Sequence, residues 1–342
     1  MKKYFKEVVN FKTIQMVCIT ITLLIVFTLY FYVGKRINTI EPDPDNKIKS
    51  YQLHYAFVCD EQEDEFWQSI YQSIKEEGRG LNIWVEQIGE RYTEKYTAVE
   101  QMKIAIASKV DGILVYPSKE NIDHYIALAA EKGIPVITVL NDCITGKRNA
   151  FVGINNYTMG KEYGDLIMER VKEMEKTKKS KESRIHVVIL MDESAGSTGQ
   201  KRILSSIQET IDSDQISLTP KFISQNSTNI FGAEEVIRDL LISKEKMPDI
   251  LISLSAVNTL CMYQSVVDYN QVGEITLIGT YGSKEVWEAV EKNIIYAVVT
   301  IDGEELGKKS VQALYEYQTK QVVNEYQTVD TYVVGAKLQE EP

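Results

Sequence analysis

The sequence predicts an α/β protein of two doubly wound parallel-sheet lobes preceded by one transmembrane helix, and three observations carry that prediction. Between Val110 and Val139, two short apolar runs, Gly112-Ile113-Leu114-Val115 and Ile134-Pro135-Val136-Ile137-Thr138-Val139, flank a segment with Ile122, Ile126, Ala129 and Ala130 at helical spacing. That is a βαβ unit, and strands with almost no polar alternation belong to a parallel sheet covered by helices on both faces. The same rhythm occurs before and after a charged stretch at 172–183, and twenty residues from Ile14 to Val33 carry no charge.

In order along the chain, Lys2, Lys3, Lys6 and Lys12 stand against Glu7. The excess of positive charge assigns residues 1–13 to a cytoplasmic tail. Residues 14–33, at about 1.5 Å per residue, span a hydrocarbon core of about 30 Å. Gly34-Lys35-Arg36 follows, with no small-x-small cleavage site, so an uncleaved anchor is expected. Residues 34–50, with Pro42 and Pro44, form an extended linker.

The folded part begins at Tyr51. Strands are predicted at 51–59, 82–86, 150–153, 185–191, 221–224, 250–253, 276–279 and 297–301, in addition to the two of the central unit. Helices are predicted at 66–77, 94–108, 157–173, 199–211, 232–243, 257–269, 284–291 and 304–318, and a last extended run covers 326–334. Two sets of βα units imply two lobes, with a cleft between them for a small ligand.

Composition removes several functions. The net charge of −11 argues against nucleic acid, because phosphate binding needs clustered Lys and Arg. Cys18, Cys59, Cys143 and Cys261 form no CxxC pair, and His54, His124 and His186 are isolated, so neither a metal site nor a cofactor is expected. Ala195-Gly196-Ser197-Thr198-Gly199-Gln200-Lys201 lacks the spacing of a phosphate-binding loop, and no GxSxG elbow exists. Nothing points to an enzyme. What remains is chemistry at strand ends, where ligands meet such sheets. Five carboxylates in Asp60-Glu61-Gln62-Glu63-Asp64-Glu65 are expected mostly to face solvent, and Phe66 and Trp67 open the helix that follows. Phe66 continues a stripe with Ile70 and Ile74, while Trp67 lies to one side, where an indole can stack on a ligand ring.

From Tyr51 to Gly335 the chain resembles the type 1 periplasmic binding proteins of the ribose and galactose binding family, whose fold is shared by LacI-type effector domains. The resemblance rests on Val110-Asp111-Gly112-Ile113-Leu114-Val115-Tyr116-Pro117, Gly133-Ile134-Pro135-Val136-Ile137-Thr138, Val152-Gly153-Ile154-Asn155-Asn156 with Gly160, Leu277-Ile278-Gly279-Thr280-Tyr281-Gly282, and Gly307-Lys308-Lys309-Ser310-Val311. It implies two lobes joined by three hinge strands, the first from 51–154 plus 302–328 and the second from 155–301 plus 329–342.

Residue by residue, the resemblance puts ligand contacts at Asp64, Phe66 and Trp67, at Asn141 and Asp142, and at Asn155 in place of a hinge acid. In the second lobe it puts them at Arg202 (or Lys201), at Ser255 and Tyr281, and at Asp302 beside Ile301. A helix cap is the competing role for Asp302. The implied function is a membrane-anchored extracellular solute-binding protein that closes on a small polar ligand such as a carbohydrate, for an ABC permease. The alternatives are a ligand sensor feeding a two-component kinase and a degenerate receptor for a protein partner. A transcription regulator would need a DNA-binding helix pair where Ile14 to Val33 stands.

Overall fold

A computed structural model describes Met16 and residues 22–24, 26–28, 51–90, 95–118, 122–177, 184–193, 198–212, 214–223, 231–242 and 247–335. Most of the expected membrane-spanning segment 14–33, and all of the linker 34–50, lie outside the described residues. The described part of the first of these, Met16, 22–24 and 26–28, is helical. Among the described residues no helix is long and apolar enough to cross a membrane, so the transmembrane helix stays an expectation.

The described residues between 51 and 335 form two six-stranded sheets with the same strand order. The first lobe contains β1 (Leu53–Val58), α1 (Glu65–Gly80), β2 (Ile83–Gln87), α2 (Ala98–Ala107), β3 (Gly112–Val115), α3 (Ile122–Glu131), β4 (Val136–Leu140) and β5 (Ala150–Ile154). The second contains α4 (Asn156–Thr177), β6 (Ile185–Asp192), α5 (Thr198–Thr210), β7 (Ile216–Ile223), α6 (Phe231–Ile242), β8 (Ile250–Ser253), α7 (Ala256–Asp268), β9 (Thr276–Thr280), α8 (Lys284–Glu291) and β10 (Ala297–Ile301). The chain then returns to the first lobe through α9 (Gly303–Lys320) and β11 (Tyr326–Val329), and ends in the second with β12 (Thr331–Gly335). The strand orders are β11-β5-β4-β3-β1-β2 and β12-β10-β9-β8-β6-β7. All pairings are parallel except that of β10 with β12.

The chain therefore crosses between the sheets at Asn155, Asp302 and Asp330. The last crossing splits what looks in sequence like one extended run: Val329 still pairs with Ile154, whereas Thr331 pairs with Ile301. The second strand of lobe 2 starts at Ile216, earlier than the predicted 221, and carries Pro220. β7 is an edge strand, where proline costs no ladder hydrogen bond on its free side. Its burial alternates irregularly, so it gave no clear apolar run to read.

In β1, Tyr55 and Phe57 enter one core and Ala56 and Val58 another, as the two-residue period requires. In each lobe the helix after the first strand packs against the helix by which the chain enters that lobe from the other. Ser73 of α1 donates to the Glu304 carbonyl of α9 at 2.7 Å, and Ser206 of α5 donates to the Tyr157 carbonyl of α4 at 2.7 Å. Gly307 and Gly160 permit these approaches, since a Cβ on either would lie within 3 Å of the facing backbone.

Candidate functional site

The carboxyl ends of both sheets face one cavity, walled by side chains of both lobes. In each sheet this is the edge where the strand order reverses, beside β1 in one and β6 in the other. The volume is about 50 Å³. A water needs about 10–15 Å³ in this measure, so the space as it stands holds a few waters and no sugar ring.

Aromatic side chains take up the rest. Phe66 of lobe 1 stacks on Tyr281 of lobe 2 with centroids 4.3 Å apart and planes 11° apart. Trp67 packs edge-on to Phe66 at 5.5 Å and against Tyr116 at 4.3 Å. At 2% exposure Trp67 is a core residue with one edge on the cavity. Leu140 ends β4 and Tyr281 follows β9, the equivalent strand of the other lobe, and both have left-handed backbones, with φ of 65° and 53°. Such conformations cost about 1–3 kcal/mol and collect at functional sites. Gly282 lets the Trp287 indole lie directly under this turn, where any Cβ would collide with it at 2.0 Å.

Of the residues expected at the site, Phe66, Trp67, Asn141, Ser255 and Tyr281 line the cavity. Ser255 also caps α7, accepting from the Asn258 amide at 3.3 Å. The other five lie outside the lining. Asp64 caps α1, accepting from the Phe66 amide at 2.8 Å. Asp302 caps α9, accepting from the Glu304 and Glu305 amides at 2.9 and 3.0 Å. Asn155 is exposed and accepts from the Tyr157 and Thr158 amides at 3.1 and 3.2 Å; its neighbour Asn156 reaches the cavity instead. Arg202 points to solvent from α5, and Lys201 is exposed as well, while Gln200 and Ile203 of the same turn face inward. Asp142 lies within lobe 1, gripped by Arg148 Nε and, at 2.9 Å, Arg148 Nη2, and it accepts from Tyr326 Oη at 2.5 Å.

Several wall residues escaped the sequence reading. Glu61 accepts from Trp67 Nε1 at 3.0 Å. Its carboxyl is pushed up to about 8, first by burial and then by Asp60, Asp64 and Asp192. Asp192 ends β6, accepting from Gln200 Nε2 at 2.8 Å and Asn258 Nδ2 at 2.9 Å. Tyr116 and Ser118 follow β3, and Ser118 donates to Asp60 Oδ1 at 2.7 Å. Each stands at or just past a strand end, which is the signal that would have found it. Among the described residues no group of three or more His, Cys, Asp or Glu is placed to hold a metal ion.

A second cross-lobe contact closes the rim: Glu65 Oε2 of lobe 1 accepts from the Lys284 amide at the start of α8, at 2.7 Å. The site is therefore a cleft in its closed arrangement, able to bury a small ligand between hydrogen-bonding groups and aromatic walls once the stack parts.

The family described as "Periplasmic binding protein domain" matches residues 55–321. No curated protein matches the chain. Among solved structures, GanP, a glucose-galactose binding protein from Geobacillus stearothermophilus, is 22% identical with a TM-score of 0.71, covering 84% of this chain and 99% of its own. An ABC transporter solute binding protein from Burkholderia graminis, in complex with D-arabinose, is 13% identical with a TM-score of 0.70, covering 86% and 98%. The XylFII–LytSN complex is 20% identical with a TM-score of 0.67, covering 83% and 98%. At these identities the likeness is one of fold.

Proposed function

Since the chain belongs to the periplasmic binding protein domain family, we propose that it is an extracellular or periplasmic solute-binding protein whose two lobes close on a small polar ligand, a carbohydrate or a derivative of one. The observation that carries this reading is the cavity at the carboxyl ends of both sheets, walled by both lobes and bridged by the stacked rings of Phe66 and Tyr281. Fold neighbours named as binders of glucose and galactose or of D-arabinose support the ligand class. The apolar run 14–33 holds the chain at the membrane, and the acceptor of the ligand is an ABC permease. Binding energy comes from Trp67 and from hydrogen bonds of Asn141 and Ser255, and closure reports occupancy by shifting the open–closed population.

A second reading has its own support. XylFII, of the same fold, forms a complex with LytSN, so a protein partner can read the closed form in place of a permease. The alternatives here are a sensor feeding a two-component kinase and a receptor that has lost its ligand. The deciding experiment is a thermal-shift screen of the full chain in detergent against sugars, polyols, sugar phosphates and amino sugars. A ligand at about 100 times its dissociation constant adds about 2.7 kcal/mol to the folded state, which is a few degrees for a chain of this size. A flat screen over a cooperative melt overturns the solute-binding reading and leaves the protein-partner receptor.

A further inference from the structure

The two helices that open lobe 2 carry a basic patch beside the cleft. α4 and α5 start side by side there: a Cβ on Gly199 would lie 3.2 Å from the Asn156 side chain, and Ser206 holds the Tyr157 carbonyl. The inward side of these helix starts supplies Asn156, Gln200 and Ile203 to the cavity wall. Their outward side presents Tyr157, Lys161, Lys201 and Arg202. The Tyr157 ring is 51% exposed, and Lys161 Nζ stands over it at 5.9 Å from the centroid.

The fold does not require this patch. None of the three cations has an ion-pair partner among the described residues. Glu162 accepts from Thr331 at 2.7 Å, and Asp165 and Glu209, the next acids along the two helices, are exposed. Lobe 1 fills the corresponding positions differently. α9, the counterpart of α4, pairs Lys308 with Glu304 and Lys309 with Glu305, and α1, the counterpart of α5, has Glu65 in its first turn. Lys201 closes the first turn of α5, where the helix dipole favours acids.

Unpaired cations at such a place, in a chain of net charge −11, call for an anionic partner from outside lobe 2. An anionic membrane is a broad plane that meets the field of the whole chain, and that field repels it. A short acidic protein segment meets only the charges within a Debye length, about 8 Å at physiological salt. The exposed Tyr157 ring adds the kind of anchor in which protein interfaces are enriched.

We propose that Tyr157, Lys161, Lys201 and Arg202 form a docking surface for an acidic segment of a protein partner at the lobe 2 edge of the cleft. The inference concerns the partner and not the ligand. It rests on the receptor reading above only for its use: a partner seated on the helices that wall the cavity senses how lobe 2 stands against lobe 1.

Fluorescence anisotropy of the full chain in a non-ionic detergent tests it, with a labelled twelve-residue peptide of Glu, Asp and Leu beside its Gln, Asn and Leu counterpart. At low salt the acidic peptide is expected to bind about tenfold tighter, about 1.4 kcal/mol, which three exposed ion pairs together supply. The preference shrinks as salt is raised. Lys161→Gln,Lys201→Gln,Arg202→Gln brings it below about twofold while the thermal melt stays unchanged. The charge-matched variant Lys109→Gln,Lys132→Gln,Lys147→Gln, with all three changes on exposed positions of lobe 1, keeps it. An acidic peptide that binds no tighter than its neutral counterpart, or an equal loss in the lobe 1 variant, overturns the docking surface. So does co-sedimentation of the chain, held in phosphatidylcholine nanodiscs, with phosphatidylglycerol vesicles through the same three residues when the peptide shows no preference; the patch is then a membrane contact. The sugar screen is read separately: a ligand hit without peptide preference removes only this inference, and peptide preference with a flat screen removes only the solute-binding reading.

Discussion

Phe66 and Tyr281 belong to different lobes, yet their rings stack at 4.3 Å and nearly parallel in the wall of the shared cavity. The Glu65 carboxylate on the Lys284 amide adds a polar contact at the rim. The lobes are thus held together partly by the protein's own side chains, and on the proposed solute-binding reading a ligand exchanges this stack for contacts of its own. An aromatic pair contributes about 0.5–1.5 kcal/mol beyond its buried area, enough to bias an open–closed equilibrium several-fold.

Truncating either ring should therefore open the ligand-free protein. In Phe66→Ala or Tyr281→Ala, the distance between spin labels on exposed positions of the two lobes is expected to lengthen and broaden. A double-mutant cycle on chemical unfolding should return a coupling of about 0.5–1.5 kcal/mol. An unchanged distance in both variants would mean that other contacts hold the lobes together.

Much of the fold was legible because its central strands are buried on both faces and read as unbroken apolar runs; Val136 to Leu140 and Ala150 to Ile154 are buried throughout. The edge strand β7 and the split after Val329 were not, since edge position and a change of sheet leave no mark in local periodicity. The site was half legible for a similar reason. Arg202 and Gln200 are two residues apart on a helix, about 200° around its axis, so a shift of alignment by two moves a side chain from solvent to cavity. The acidic run 60–65 looked like a solvated face. Glu63 and Glu65 are indeed exposed, but Glu61 turns inward onto Trp67.

Asp302 offers a clean separation of structure from binding. It holds two amides at the start of α9 and lies outside the cavity lining. Asp302→Ala should cost about 1 kcal/mol of stability by loss of the cap, seen as a lower denaturation midpoint. Ligand affinity is expected to change less than threefold. A tenfold loss of affinity at unchanged stability would put Asp302 in the binding site.

Asp142 and Arg148 form the least exposed ion pair among the described residues, with side chains 17% and 7% exposed. Burial raises the Asp142 carboxyl, but the Arg148 and Tyr326 hydrogen bonds outweigh it and hold it below the usual carboxylate range. A depressed carboxyl stabilises the fold above its unfolded pKa, near 3.9, and loses that contribution as pH falls through the lower folded value. Arg148→Ala leaves the carboxylate without its partner and should destabilise the protein at pH 7 by about 3 kcal/mol. Arg148→Ala,Asp142→Asn should recover part of that loss, as read by chemical denaturation.

Glu61 has the opposite sign. Its folded pKa, pushed up to about 8 by burial and by Asp60, Asp64 and Asp192, lies above the value of about 4.3 for an unfolded glutamate. Its contribution to the ligand-free fold is therefore complete below about pH 4.3 and is lost as pH rises to and through about 8, because over that range the folded state holds a proton that the unfolded chain has already released. Melting measurements between pH 6 and 9 should show stability falling as pH rises and levelling off above about pH 8, and Glu61→Gln should remove that fall. A cation bound beside Glu61 favours the ionised form, so an amine ligand of fixed charge should bind more tightly as pH rises toward 8 and displace up to one proton below it. A neutral ligand that accepts from the protonated carboxyl would show the reverse slope, so the pH profile of binding separates the two kinds of ligand.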